Sequence, residues 1–71
     1  MTVKEFLIKS FAVDHGNFLN VRSKSHDECL AYRCGREHIC HTFGRSTVES
    51  VRPDIVRDNG SFFPTMTIII A

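Results

Sequence analysis

Seventy-one residues, 42 % apolar and 24 % charged, make an ordinary folded chain and argue against disorder. A chain this short forms one domain, residues 1–71, and buries only about 60 % of the surface its unfolded form exposes, so it has no room for a separate catalytic domain. Nine Lys/Arg against eight Asp/Glu, interspersed in sign, give a net charge of +1 and exclude a polybasic tract aimed at nucleic acid or an anionic membrane.

The first element, "VKEFLIKSFAV" (residues 3–13), reads two ways. As a helix, Thr2 and Glu5 have capping-box spacing, and Val3, Leu7 and Phe11 recur every four residues. As a strand, Leu7, Phe11 and Val13 share a face, and "VDHGN" follows as a turn with Asp14, Gly16 and Asn17. "FLNVRSKS" alternates like a half-buried strand, so a β-hairpin is the favoured reading of the first third. Glu5 and Lys9 interrupt the opening apolar run and make it a poor signal peptide.

A helix is expected from about His26. Ser25 and Glu28 have capping-box spacing, Asp27 and Glu28 would lie in the first turn, and Leu30 and Cys34 would share a face. Arg33, Arg36 and Glu37 would then face water. Gly35 is either an interior glycine or the stop. Beyond Gly44 the chain reads β again. Pro53 cannot donate to a ladder, so "STVESVRPDIV" is an edge strand or is broken there. Asn59-Gly60 signals a hairpin turn. "FFPTMTIII" is apolar on both faces, as in a central strand or one that meets a partner. It is far short of the about 20 apolar residues that span a bilayer. The expected fold class is α+β: a small antiparallel sheet of about four strands with one helix packed on one face, β-β-α-β-β.

"CLAYRCGREHICH" (residues 29–41) holds all three cysteines and two of the four histidines. On an unbroken helix Cys34, His38 and His41 would form one stripe, with a fourth zinc ligand from His15, His26, Cys40 or Cys29. No C-x2-C pair is present, and whether Cys34, His38, Cys40 and His41 bind a metal stays open at this level. A nucleophile would need a base and an oxyanion site, and no motif supplies them. Free cysteines also serve as small core residues, and that reading is adopted: no metal, no cofactor, no catalytic residue. Three is an odd count without the spacing of a disulfide framework, which points to a reducing cytoplasm.

In size, in its bare single domain and in the layout strand-strand-"SKSHDECLAYRCGREH"-strand-strand, the chain resembles small phage-encoded inhibitors, anti-CRISPR proteins in particular. That resemblance implies a non-catalytic binding module that occludes a surface of a host protein or ribonucleoprotein complex. The partner-binding residues expected for it are Arg33, Arg36 and Glu37 on the helix, with Arg45 beyond. Three other readings stay in play: direct nucleic-acid binding by a small regulatory protein, a homodimer through the C-terminal strand, and a zinc-stabilised module. No membrane partner is expected.

Overall fold

The chain opens with a helix. Thr2 N donates to Glu5 Oε1 (2.9 Å) and Glu5 N donates to Thr2 Oγ1 (3.2 Å), and from this reciprocal cap α1 runs Val3–Lys9. The computed structural model describes residues 1–9 and 19–71. Among the described residues five elements follow α1: β1 (Leu19–Ser23), β2 (Glu28–Cys34), α2 (Arg36–Phe43), β3 (Val48–Asp58) and β4 (Ser61–Ile70). The fold is α+β with a four-stranded sheet. It has two helices among the described residues, and its sheet is mixed, so the β-β-α-β-β layout with one helix and an antiparallel sheet is corrected. Strand order is β2-β1-β4-β3, with β1 antiparallel to β2 and parallel to β4, and β4 antiparallel to β3.

Two segments differ from expectation for local reasons. Val3 and Leu7, one turn apart, are both fully buried, and the cap supplies the start that a helix needs; together they override the strand preference of Phe6 and Ile8. The turn expected at Asp14–Asn17, with Phe11, His15 and Phe18, lies outside the described residues. The second difference is the segment Glu28–Cys34, which is strand and not helix. Its apparent cap is the β1–β2 turn: Ser23 Oγ accepts from His26 N (3.4 Å), and Arg22 Nη2 donates to Asp27 O and Oδ1 (3.2 Å each). Asp27 takes φ +46, a left-handed conformation that Asp tolerates better than most residues. Helix α2 starts only after Gly35, which is the N-cap with extended φ −68 and ψ 156.

Other expectations hold. β3 is an edge strand, and it runs through Pro53 unbroken. Asn59 (φ +50) and Gly60 (φ +82) make the tight β3–β4 turn, with Asp58 opposite Ser61. "FFPTMTIII" lies in a central strand, flanked by β1 along Met66–Ile70 and by β3 along its whole length.

One face of the sheet carries the core. Leu19 and Val21 of β1, Ala31 of β2, and Ile68 and Ile70 of β4 pack against Val3 and Leu7 of α1 and Ile39 of α2. The helices are tied to one another and to the turn before β3. Val3 N donates to Ser46 O (2.9 Å) and Lys4 N to Gly44 O (3.1 Å), which satisfies donors that the first turn of a helix leaves free. At the other end of α1, Arg36 Nη2 donates to Leu7 O (2.6 Å). The opposite face of the sheet has a polar row across three strands. Asn20 Nδ2 donates to Thr67 Oγ1 (3.5 Å), Thr67 Oγ1 donates to Asp54 Oδ2 (2.8 Å), and Asn20 Oδ1 accepts from Arg33 N (2.9 Å). No described helix is long and apolar enough to cross a membrane.

Candidate functional site

The feature that needs explaining is the far half of the β3–β4 hairpin. Strand geometry puts Met66, Ile68 and Ile70 on the helix-covered face, and period two carries Pro64 and Phe62 along the same row. On β3 the residues opposite them are Pro53, Ile55 and Arg57. Burial stops where the helices stop. Thr67 and Ile68 are buried, whereas residues 61–64 are all exposed, with Ile55 and Phe62 each 66 % exposed and Phe63, on the opposite face, 51 %. The arm from the Pro53/Met66 pair to the turn is five residue pairs long, about 17 Å at the usual rise per strand residue. Large apolar side chains are thus uncovered on both faces of the arm, Ile55 and Phe62 on one and Phe63 on the other, with no helix over them among the described residues. Exposed apolar surface of this kind marks an interaction surface.

On the arm, the Arg57 guanidinium carbon lies 5.7 Å from the centroid of the Phe62 ring, a cation–π contact that also screens part of the ring. At the root of the arm, Asp54 is held below the usual carboxylate range. The Thr67 hydroxyl bond is the main cause, and the Ile55 N–H (2.8 Å to Oδ1) adds to it. Residues 48–64 carry Arg52 and Arg57 against Glu49, Asp54 and Asp58, so the hairpin is slightly acidic.

The residues expected to bind a partner do not share a helix face. Arg33 stands in β2, not on a helix, with φ +54, and its N–H is given to Asn20. Arg36 begins α2 and its guanidinium braces α1 through Leu7 O, which is a structural duty. Both are partly buried. Glu37 is exposed on α2, and Arg45 is exposed in the turn that follows it. The cause is the misplaced helix start, which put Arg33, Arg36 and Glu37 on one face that does not exist.

The metal stripe fails on the same ground. Cys34 ends β2 while His38 and His41 lie on α2, so they share no helical face. Among the described residues no three His, Cys, Asp or Glu side chains are grouped to hold a metal ion. Cys34 and Cys40 instead pack beside the core, and Cys29 is exposed.

Pairing between copies through the C-terminal strand meets an obstacle too. Met66–Ile70 already have β1 on one side and β3 on the other. The sheet's edges are β2, whose pairing with β1 has two register shifts, and β3, where Pro53 has no N–H to donate. Both devices blunt an edge against a new strand. The arm's apolar residues were signalled in the sequence by "SFFPTMTIII", whose two apolar faces abut an Asn-Gly turn. Residues that close to a hairpin tip lie beyond the reach of a core this small.

The chain matches no protein-family model, no curated protein and no solved structure.

Proposed function

We propose that the protein is a non-catalytic binding module that docks on a host protein or ribonucleoprotein complex through the β3–β4 arm and occludes the surface it covers, as a phage or mobile-element inhibitor of a CRISPR effector would. The observation that carries this reading is the arm itself: Ile55, Phe62 and Phe63 remain in water although the chain has few large apolar residues to spare. Aromatic anchors surrounded by a polar rim supply most of the affinity in protein interfaces, and Phe62, with Arg57 over it, fits that role. The layout on which the likeness to anti-CRISPR proteins rested is not the one adopted, so the proposal stands on the arm and on the size of the chain.

Direct nucleic-acid binding is the second reading. An arginine beside an exposed aromatic is also how bases are stacked. Three acids against two arginines on the hairpin favour a protein surface over a phosphate backbone.

The test is interference in cells that carry an active CRISPR effector targeting a plasmid. Expression of the chain is expected to restore plasmid uptake, and the Ile55→Asp/Phe63→Asp variant, with an unchanged circular-dichroism spectrum, is expected not to. A photo-crosslinker at position 62 should give one defined adduct with the effector that this variant loses. Interference that persists with the native chain, and no adduct, rejects the effector as target. A mobility shift of free DNA or RNA that fades steeply with salt selects the second reading.

A further inference from the structure

At the opposite end of the hairpin from the arm's tip, the two helices and the turn between α2 and β3 line a shallow, open cavity of about 430 Å³. Lys4 enters it from the first turn of α1, His41 and Thr42 from the last turn of α2, and Arg45 and Ser46 from the turn into β3. Among the described residues no carboxylate lines it. Lys4, His41 and Arg45 take no part in the Arg22–Asp27 and Lys24–Glu49 ion pairs. Nor do the Thr42 and Ser46 hydroxyls have a hydrogen-bond partner among those residues. The nearest acids in sequence are otherwise placed. Glu5 accepts from Thr2 in the α1 cap, Glu37 lies one turn back along α2 in an adjoining groove with Arg36, and Glu49 pairs with Lys24 (3.7 Å).

A helix C-terminus ordinarily repels an anion, because its last carbonyls are unpaired. Here two of those carbonyls are engaged: Phe43 O accepts from Ser46 N (2.9 Å) and Gly44 O from Lys4 N (3.1 Å). The cavity therefore offers two fixed positive charges, an imidazole and two hydroxyl donors, approaching from three elements, with little nearby negative charge to answer them. A carboxylate carries one charge and presents its lone pairs in one plane, whereas a phosphoryl group is tetrahedral, carries up to two charges and accepts bonds from directions out of any one plane.

We infer that this cavity binds a phosphoryl group, of a phosphomonoester or of a nucleic-acid backbone. The inference is independent of the arm, and arm variants leave the site intact. The test is an amide NMR titration of the full chain with potassium phosphate, against potassium chloride at matched ionic strength. Saturable shifts confined to Lys4 and residues 41–46 are expected. Lys4→Gln and Arg45→Gln, both at exposed positions, should each weaken binding about tenfold, the usual worth of one charge-assisted hydrogen bond. A nucleoside monophosphate and a short oligonucleotide without a terminal phosphate separate the two sources. If only the monophosphate acts on these amides, the ligand is a phosphomonoester; if the oligonucleotide does so and weakens with salt, it is a backbone phosphate. The inference is overturned if phosphate acts no differently from chloride, if a variant carrying both Lys4→Gln and Arg45→Gln responds like the native chain, or if shifts spread equally to Lys24, Arg52 and Arg57.

Discussion

At the scale of single residues, the polar row Asn20–Thr67–Asp54 makes the sharpest predictions. Asn20 is buried and serves two partners, the Arg33 N–H and the Thr67 hydroxyl. Asn20→Ala leaves both without it and should cost about 1–3 kcal/mol in urea unfolding, the range for stranding a buried polar group. A loss near zero would mean that water replaces the amide there at no cost. Thr67→Val keeps the shape and removes the donor to Asp54. Because that hydroxyl is the main cause of the lowered Asp54 pKa, carboxyl NMR should show it rise toward the ordinary value of 3.8. Glu5 is lowered as well, chiefly by the Thr2 N–H and then by the Thr2 hydroxyl. Both groups hold protons less tightly folded than unfolded. Their contribution is thus fully present above their ordinary values of 4.5 and 3.8 and is lost as pH falls through the folded values. Thermal melts should therefore be flat from neutral pH to about 5 in these two terms and decline below; Thr67→Val should flatten the acid limb.

At the scale of elements, what was legible in the sequence was whatever depended on neighbours in the chain. Asn59-Gly60 specified its turn, because positive φ at both positions is cheap for that pair and costly for most others. Gly60→Ala should accordingly destabilise by about 1 kcal/mol, readable as a shift in urea midpoint with no change in slope. Thr2 and Glu5 likewise wrote their cap into the sequence, but Phe6 and Ile8 argued for a strand, and only the burial of Val3 and Leu7 against Ile39 decides between them. Ser25-x-x-Glu28 shows the opposite failure: the same four-residue spacing that caps α1 serves in a β-turn when the next residues pair with β1. Spacing reports a local option, and strand pairing at a distance selects among options. The candidate site divides in the same way. Phe62 and Phe63 were visible as an apolar excess. The cavity joining Lys4 to Arg45 was not, since it depends on how α1 docks on the end of α2. Amide exchange provides the element-level check. Residues 54–64, paired within one hairpin and free of a helix layer, should exchange well before residues 66–70. Equal protection would mean that the arm is covered by something beyond the described elements.

For the molecule as a whole, the helices cover one part of the sheet and leave another, so one apolar row is core at one end and surface at the other. Ile68, fully buried, should lose about 2–5 kcal/mol on truncation to Ala, a large part of what so small a domain has. Ile55→Ala, in the exposed part of the same hairpin, should change stability by less than about 0.5 kcal/mol. Denaturant titration of the two variants separates core from surface along a single hairpin. The order of the strands has a further effect, on how the protein is made. β4 follows all the other strands in the chain yet lies in the middle of the sheet, and β1, made long before it, must wait for its parallel neighbour. While the ribosome is still at work, β1 and β2 can close their own hairpin, but Leu19 and Val21 have no Ile68 and Ile70 beside them. Folding must therefore be a late, all-at-once event that follows the release of the last residues of β4, and a nascent chain stalled before Thr67 should stay sensitive to protease along its length.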